Sequence, residues 1–478
     1  MENGFVKEIT PKSRDFSQWY VDVILKAELA DYSPVRGCMV IRPYGFGLWE
    51  NMQQLLDRRF KATGHKNAYF PLFIPETLLK KEAEHVEGFA PEVAWVTHGG
   101  QEELAERIAV RPTSETIICS MYSKWIKSWR DLPVLINQWC NVVRWEKSTK
   151  PFLRTAEFLW QEGHTAHRTE EDAEEETLKM LEVYRDFVES DLAVPVIKGR
   201  KSENEKFAGA LRTYTIEAMM SDGKALQAGT SHNLGQHFSR VFDITFLDRD
   251  GQLKYVWQTS WGVSTRLIGA IIMTHGDDRG LKLPPRIAPI QVIIVPISGQ
   301  QKETVLNRAR EMYSNLKNEF RVELDDRDEY TPGWKFNEWE MRGVPVRLEI
   351  GPKDVEKNQV VLVRRDTGEK MSVAESEART RLKQLLEDIQ NNMFQQAKKF
   401  MLENITEVND FEEFKRVIEE KKGFIKAHWC ESGECEKYVK ENTGATLRCI
   451  PFDQEYKPGR CIVCGREAGK TVYFAKSY

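Results

Sequence analysis

The stretch RWEKSTKPFLRTAEFLWQEGHTAH, residues 144–167, sets Arg144, Glu146, Arg154, Phe158, Trp160, Glu162 and His164 close together. A surface loop would not hold the two rings, and unpaired charge is costly to bury, so the combination points to a lined pocket. If residues 158–164 are extended, side chains alternate, and Phe158, Trp160, Glu162 and His164 share one face. Two readings fit these four: a half-buried strand whose polar groups pair with neighbours, or a pocket wall. The arginines favour the wall. Arg144, Glu146 and Arg154 bracket the loop KSTKP, and two guanidinium forks beside an aromatic ring suit a polyphosphate nucleotide, forks for the oxygens and ring for the base.

A second constellation lies near residue 450. CESGEC and CIVC supply Cys430, Cys435, Cys461 and Cys464 as two close pairs, compatible with a tetrahedral Zn2+ site or with two pairs of reduced thiols. CIVCG resembles a zinc knuckle and favours the metal, which would be structural because four thiolates leave no open position. Cys449 reads as packing. Cys38, Cys119 and Cys140 sit in apolar sequence and read as small hydrophobes without a functional role.

A chain of 478 residues is long enough for roughly two to four domains. Hydrophobic residues at 41% and charged residues at 30% describe an ordinary globular composition. The net charge of −4 argues against coating nucleic acid through bulk positive charge, so any such partner is recognised locally. MENGFVKEITPKSRDF lacks a signal-peptide pattern, and no apolar run is long enough to span a membrane; the expected location is the cytoplasm.

The elements follow from periodicity. Leu48, Met52, Leu55, Leu56 and Phe60 form one helical stripe that breaks at Gly64 into a short strand closed by Pro71. In RPTSETIICS, Thr113 or Ser114 caps a helix with Glu115 in its first turn. VLINQWCNVVRWE is a long strand leading into the pocket segment. The acidic stretch from Thr169 to Ser190 is an amphipathic helix with Leu178, Leu181, Tyr184 and Val188 inward. SDG and DRDG mark hairpins, and TSWGVSTRLIGAIIMTHG runs from strand into buried helix. Runs of antiparallel strands with few helices between them predict an α+β domain with an antiparallel sheet over residues 1–285, which would carry the pocket. After LKLPPRIAP, strands alternate with helices, predicting an α/β domain with a largely parallel sheet over 286–404. Residues 405–478 form a small zinc-binding α/β tail domain.

Arg-x-Glu, a loop and Arg-x-x-x-Phe resemble motif 2 of the class II aminoacyl-tRNA synthetases; the helix-to-strand unit ending at Pro71 resembles motif 1. SWGVSTR, with Arg266, resembles motif 3, although its glycine run is thin and Thr265 stands where an acid often precedes the arginine. RPTSETII, FLRTAEFLWQEGHTAH, KFAGA, LQAGTSHNLGQ and HGDDRGLKLPP are similar to prolyl-tRNA synthetases of the archaeal and eukaryotic-like type, over essentially the whole chain. The resemblance implies activation of L-proline with ATP and Mg2+, transfer to tRNA(Pro), and a homodimer formed through motif 1.

It implies that Thr113 and Glu115 receive the ring nitrogen of proline, with Trp160, Glu162, His164 and Phe207 as pocket walls and His232 nearby. Arg144 would hold the α-phosphate and substrate carboxylate, Arg154 and Arg266 the terminal phosphates, and Phe158 the adenine face. Glu146, Gln227, Thr230 and Ser264 would complete the nucleotide site, with Arg144 and Arg266 as the catalytic pair. In the second domain, Phe336, Glu340, Arg347, Lys353 and Asp354 would read the guanines of a proline anticodon, carboxylates accepting from N–H groups and cations donating to O6 and N7. Between His164 and Gly262 the acidic helix and hairpins leave no room for a large editing insertion. Tyr478 either docks back on the catalytic domain or frays. The rival reading, a non-catalytic paralogue that binds tRNA or senses an amino acid, would tolerate losses among Arg144, Glu146, Phe158 and Arg266. The sequence keeps all four.

Overall fold

The structure is a computed structural model that describes residues 9–83, 92–297, 301–452, 454 and 456–478. The N-terminal stretch read for a signal peptide lies outside the described residues for positions 1–8. Helix α1 (Pro43–Ala62) starts with proline at its first position, where the missing N–H costs nothing. It buries Leu48, Met52, Leu56 and Phe60. Gly64, with φ of +88°, turns the chain into the short strand Lys66–Asn67. Helix α2 (Glu115–Trp125) follows Ser114.

The pocket segment belongs to a long hairpin, β1 (Val134–Val143) and β2 (Glu157–His167), paired antiparallel from Val134↔Ala166 to Val143↔Glu157. Helix α3 (Glu170–Ser190) is capped by Thr169, whose hydroxyl accepts the Asp172 N–H at 3.1 Å, and its acidic start complements the helix dipole. It lays Thr177, Met180, Leu181, Tyr184, Phe187 and Val188 against the core. Leu178, expected to face inward, is exposed; at about 100° per residue it sits off the stripe set by Thr177, Leu181 and Tyr184. Four more strands, β3 (Val196–Arg200), β4 (Arg212–Met219), β5 (Ala225–Gly235) and β6 (Trp257–Ser264), complete the antiparallel layer, and β6 feeds helix α4 (Arg266–His275). One face of this layer packs on α1, α3 and α4 in the main core; the other carries the site, with α2 packed over one end of it through Ile118 and Tyr122.

The second domain runs β7 (Val292–Pro296), α5 (Lys302–Leu316), β8 (Val322–Leu324), α6 (Pro332–Met341), β9 (Val346–Ile350), α7 (Pro352–Glu356), β10 (Gln359–Arg364), β11 (Lys370–Ala374) and α8 (Ala378–Glu403). Its sheet order is β8-β7-β9-β10-β11. The sheet is mixed rather than largely parallel: β7 pairs parallel with β8 and β9, whereas β9–β10 and β10–β11 are antiparallel. The reason lies in the links. A parallel return needs a crossover of about a dozen residues or more, and the single turn of α7 is too short.

The tail is built from β12 (Ile405–Glu407), α9 (Phe411–Glu420), β13 (Phe424–His428), α10 (Gly433–Thr443), β14 (Thr446–Pro451) and β15 (Thr471–Ala475). Its strands extend the catalytic layer, because Ile450 and Pro451 pair with Arg200 and Gly199 of β3, giving one eleven-stranded sheet. Beneath this seam Glu217 is fully buried and accepts from Lys201 Nζ at 2.8 Å, Arg448 Nε at 3.0 Å and the Thr215 hydroxyl at 2.9 Å. Tyr478 is docked: its hydroxyl donates to Asp222 at 2.7 Å, its N–H donates to the Ala225 carbonyl at 3.1 Å, and Lys150 and Lys224 lie over its ring.

Candidate functional site

On the open face of the catalytic layer the strand register arranges side chains in rows. Trp160 stands opposite Ser264; Glu162 opposite Gly262, which faces Thr230; His164 opposite Ser260, which faces His232 and then Thr213. Gly262, at the centre, leaves the floor open where a side chain would fill it. Over these rows lies a cavity of about 360 Å³ lined by Thr113, Glu115, Arg144, Glu146, Arg154, Phe158, Trp160, Glu162, His164, Phe207, Gln227, Thr230, His232, Ser264 and Arg266. Every catalytic, nucleotide and proline residue expected from the sequence therefore borders one cavity. The sequence reading missed Glu205, Thr213 and Ser260, which also line it. Only the pairing of β4, β5 and β6 brings Thr213 and Ser260 into the His164 row.

The proline end is densely bonded. Thr113 donates its hydroxyl to Glu115, and Ser114, instead of capping α2, donates to Glu162. Glu162 also accepts from Gln138 Nε2 at 3.0 Å and lies 3.0 Å from His164 Nε2. Burial works against both charges of that pair, but the hydrogen bond between them and the neighbouring charges win, holding the Glu162 pKa down and the His164 pKa up. Phe207 packs against His232 with ring centres 4.8 Å apart and planes tilted by 35°, and His232 Nδ1 lies 2.9 Å from the Thr213 hydroxyl. Burial, with a smaller contribution from His164, pushes the His232 pKa down to about 3, so its ring is neutral.

The other end is cationic. Arg144 donates from Nε to the Pro112 carbonyl at 3.0 Å, with its guanidinium 5.6 Å from the Phe158 ring centre and 5.3 Å from Trp160. Phe158 and Trp160 meet edge to face at 5.9 Å. Arg266 opens α4, its Nε donating to the Leu153 carbonyl at 3.3 Å. Burial, then the charges of Arg144 and Arg154, lower the Arg266 pKa. Arg144, Arg154 and Arg266 thus bring three like charges to one cavity wall, which calls for an anion.

In the second domain, Arg347 lies 4.0 Å over the Phe336 ring, and Glu340 and Arg347 line a cavity of about 130 Å³ with Arg279, Arg364, Arg365 and Lys370. Lys353 is exposed on α7 outside this cavity, and Asp354 is engaged locally, accepting the Gly351 N–H at 2.9 Å and Gln359 Nε2 at 3.0 Å. Arg365 ties the domain to the catalytic one by a bidentate pair with Asp277 at 2.7 and 3.0 Å. In the tail, the four sulfurs of Cys430, Cys435, Cys461 and Cys464 lie within 4.8 Å of one another, with Cys430 3.7 Å from Cys435 and 3.6 Å from Cys464. A tetrahedral Zn2+ with sulfurs at about 2.3 Å needs them about 3.8 Å apart, so the donor set fits. Arg466 donates to Cys464 at 3.2 Å and pulls its pKa down to about 6, favouring the thiolate a metal requires.

An antiparallel sheet carrying an arginine- and aromatic-lined nucleotide wall, with a helix opened by a further arginine, defines a class II aminoacyl-tRNA synthetase. The family models agree: residues 95–275 match the class II core domain (G, H, P, S and T), 291–385 an anticodon binding domain, and 411–478 the C-terminal domain of prolyl-tRNA synthetase. Similar proteins include proline–tRNA ligases of Natranaerobius thermophilus, 67% identical over 99% of both chains, and of Alkaliphilus oremlandii, 65% identical over 100% of this chain and 99% of the other. A solved prolyl-tRNA synthetase of Cryptosporidium parvum, complexed with halofuginone and AMPPNP, superposes with a TM-score of 0.95 at 46% identity over 99% of this chain and 100% of that one. The chain belongs to the prolyl-tRNA synthetases and is a proline–tRNA ligase. Among the described residues no helix is long and apolar enough to cross a membrane.

Proposed function

We propose that the cavity binds ATP and L-proline side by side, makes prolyl-adenylate and passes the prolyl group to tRNA(Pro). The observation that carries this is the convergence of Arg144, Arg154 and Arg266 with the Thr113–Glu115 pair on one cavity. A proline carboxylate oxygen attacks the α-phosphorus, the bond to the bridging oxygen breaks, and pyrophosphate leaves. No general base is needed, because the carboxylate is already ionised. Arg144 would hold the α-phosphate and the attacking carboxylate, and Arg154 and Arg266 the departing phosphates, where preorganised charge is most effective. Phe158 would stack on adenine, with Gln227, Thr230 and Ser264 along the nucleotide. Mg2+, arriving with the polyphosphate, would neutralise its charge, with Glu146 on the same wall. Thr113 and Glu115 would take the secondary ammonium, and Trp160, Phe207, Glu162, His164 and His232 would surround the ring. The terminal ribose hydroxyl of tRNA then attacks the carbonyl carbon, and AMP leaves.

Phe336, Glu340 and Arg347 would read the anticodon, Lys353 and Asp354 contributing from α7, with domains at 1–285, 286–404 and 405–478 and a structural Zn2+ on the four cysteines. Exposed Tyr32, Val40 and Phe46, at the motif 1 end, support a homodimer; the location in this reading is the cytoplasm. The interval from His164 to Gly262 is filled by α3, the strands β3 to β5, a short helix (His237–Val241), the hairpin of Thr245–Leu247 with Leu253–Tyr255, and the start of β6, which supports the archaeal and eukaryotic-like type without an editing insertion. Proline-dependent exchange of pyrophosphate into ATP tests the central reading: exchange without tRNA is expected, and its absence would favour the non-catalytic paralogue. Preformed alanyl-tRNA(Pro) tests the type, since decay at the buffer rate is expected and enzyme-dependent release of alanine would exclude it.

A further inference from the structure

Two residues of β1 stand beside the proline end without bordering its cavity. Gln138 and Cys140 pair in register with Glu162 and Trp160 of β2, so their side chains share the face that carries those groups. Gln138 is fully buried; its amide N–H donates to Glu162 Oε1 at 3.0 Å and to the Ser114 hydroxyl at 3.2 Å, while its carbonyl accepts the Phe70 N–H. The Cys140 sulfur accepts the Trp160 indole N–H at 3.2 Å and donates to Glu162 Oε1 at 3.4 Å. Sequence-based reading treated Cys140 as an inert hydrophobe, but both of these partners are polar groups of the neighbouring strand.

We infer that Gln138 and Cys140 are positioning residues that fix the Trp160 indole and the Glu162 carboxylate against the substrate ring and so set the preference for proline. The inference rests on the reading of Trp160 and Glu162 as proline-pocket walls. An indole free to rotate about its side-chain torsions would sweep across the space the pyrrolidine needs. Its single donor ends on Cys140, so one contact fixes the wall, while Arg144, which lies over the ring, is anchored separately by the Pro112 carbonyl. Glu162 is held at one oxygen by Gln138 and Cys140 and at the other by His164. The thiol is a neutral donor: burial and the Glu162 charge push its pKa up to about 12, and a thiolate there would face the carboxylate.

The test is pyrophosphate exchange on the full-length enzyme carrying Cys140→Ala, Cys140→Val, Cys140→Ser, Gln138→Ala or Trp160→Ala. Cys140→Ala and Cys140→Val leave the part-buried indole donor without this partner; the KM for proline is expected to rise about tenfold, the scale of losing one net hydrogen bond, with the KM for ATP changed less than about twofold. The ratio of kcat/KM for proline to that for alanine falls with it. Cys140→Ser, whose hydroxyl donates and accepts, recovers most of the loss, and Gln138→Ala resembles Cys140→Ala. A normal KM for proline in Cys140→Ala, equal rises for proline and ATP, or recovery by valine and not by serine would overturn the inference in favour of packing. Trp160→Ala separates the two levels: if it leaves the KM for proline unchanged, the pocket assignment fails; if it raises that KM and Cys140→Ala does not, only the positioning role fails.

Discussion

Replacing Gly163 by alanine tests whether the two faces of β2 are mechanically one. Gly163 sits between Glu162 and His164, with its missing side chain toward the core, where an added Cβ would lie 2.1 to 2.2 Å from three atoms of the Trp261 ring. Carbon atoms rest about 3.5 to 4.0 Å apart, so ring and strand must separate by about 1.4 Å or more. Trp261 has nowhere to go, being 1% exposed and packed against Phe60, His65 and Tyr184. Overpacking of this kind costs about 1 to 3 kcal/mol. The strand is the part able to yield, and it carries Glu162 and His164 on its other face. Misplacement by about 1 Å can cost about a hundredfold in rate, so proline-dependent exchange is expected to fall between tenfold and a hundredfold while the protein stays folded. The urea midpoint and kcat/KM for proline are measured together. A variant with a normal midpoint and normal exchange would refute the claim that Trp261 closes directly on the strand.

Arg144→Ala and Arg266→Ala are each expected to lower adenylate formation by at least about two orders of magnitude, the scale of losing one preorganised charge stabiliser; near-normal exchange in both would undo the site assignment. Metal analysis is expected to find one tightly held zinc per chain, released by thiol modification with loosening of the tail and a smaller effect on proline activation; substoichiometric zinc in fresh protein would count against it. The His164–Glu162 pair gives stability a pH signature. The His164 pKa is raised, so its contribution is complete below its ordinary value of 6.5 and fades as pH rises through the higher folded value. That of Glu162 is depressed, so its contribution is present above 4.5 and is lost as pH falls through the lower folded value. The urea midpoint of wild type should therefore exceed that of His164→Gln most near pH 6 and by less at alkaline pH; a difference constant with pH would contradict the pairing.

The pocket was legible in sequence because much of its wall is contiguous. Phe158, Trp160, Glu162 and His164 follow the two-residue period of one strand, and the arginines punctuate loops and a helix start around it. Less legible was what depends on strands far apart in the chain. Thr213 and Ser260 join the site only through register, and nothing in the sequence next to Cys140 marks a role, because its contacts come from β2. Leu178 satisfies a loose helical spacing yet misses the buried stripe. In the second domain the alternation of strands and helices was read correctly, but the sense of each return depends on link length, which alternation alone does not weigh. The tail's four cysteines announced their cluster; nothing in them announced that its strands continue the catalytic sheet.

That continuity makes the tail an edge guard rather than a detachable module. Without β14, the outer rim of β3 would present unpaired N–H and C=O groups, the template on which sheets aggregate. Glu217 would at the same time lose Arg448, leaving a buried carboxylate with a weakened set of cations. The seam is fitted from both sides: a Cβ at Gly199 would stand 2.5 Å from the Ile450 carbonyl oxygen, so the catalytic strand admits its neighbour only because it carries a glycine there. Truncation before residue 405 should thus yield a sticky fragment, and grafting this tail onto another synthetase core would require that glycine and that acid to travel with it.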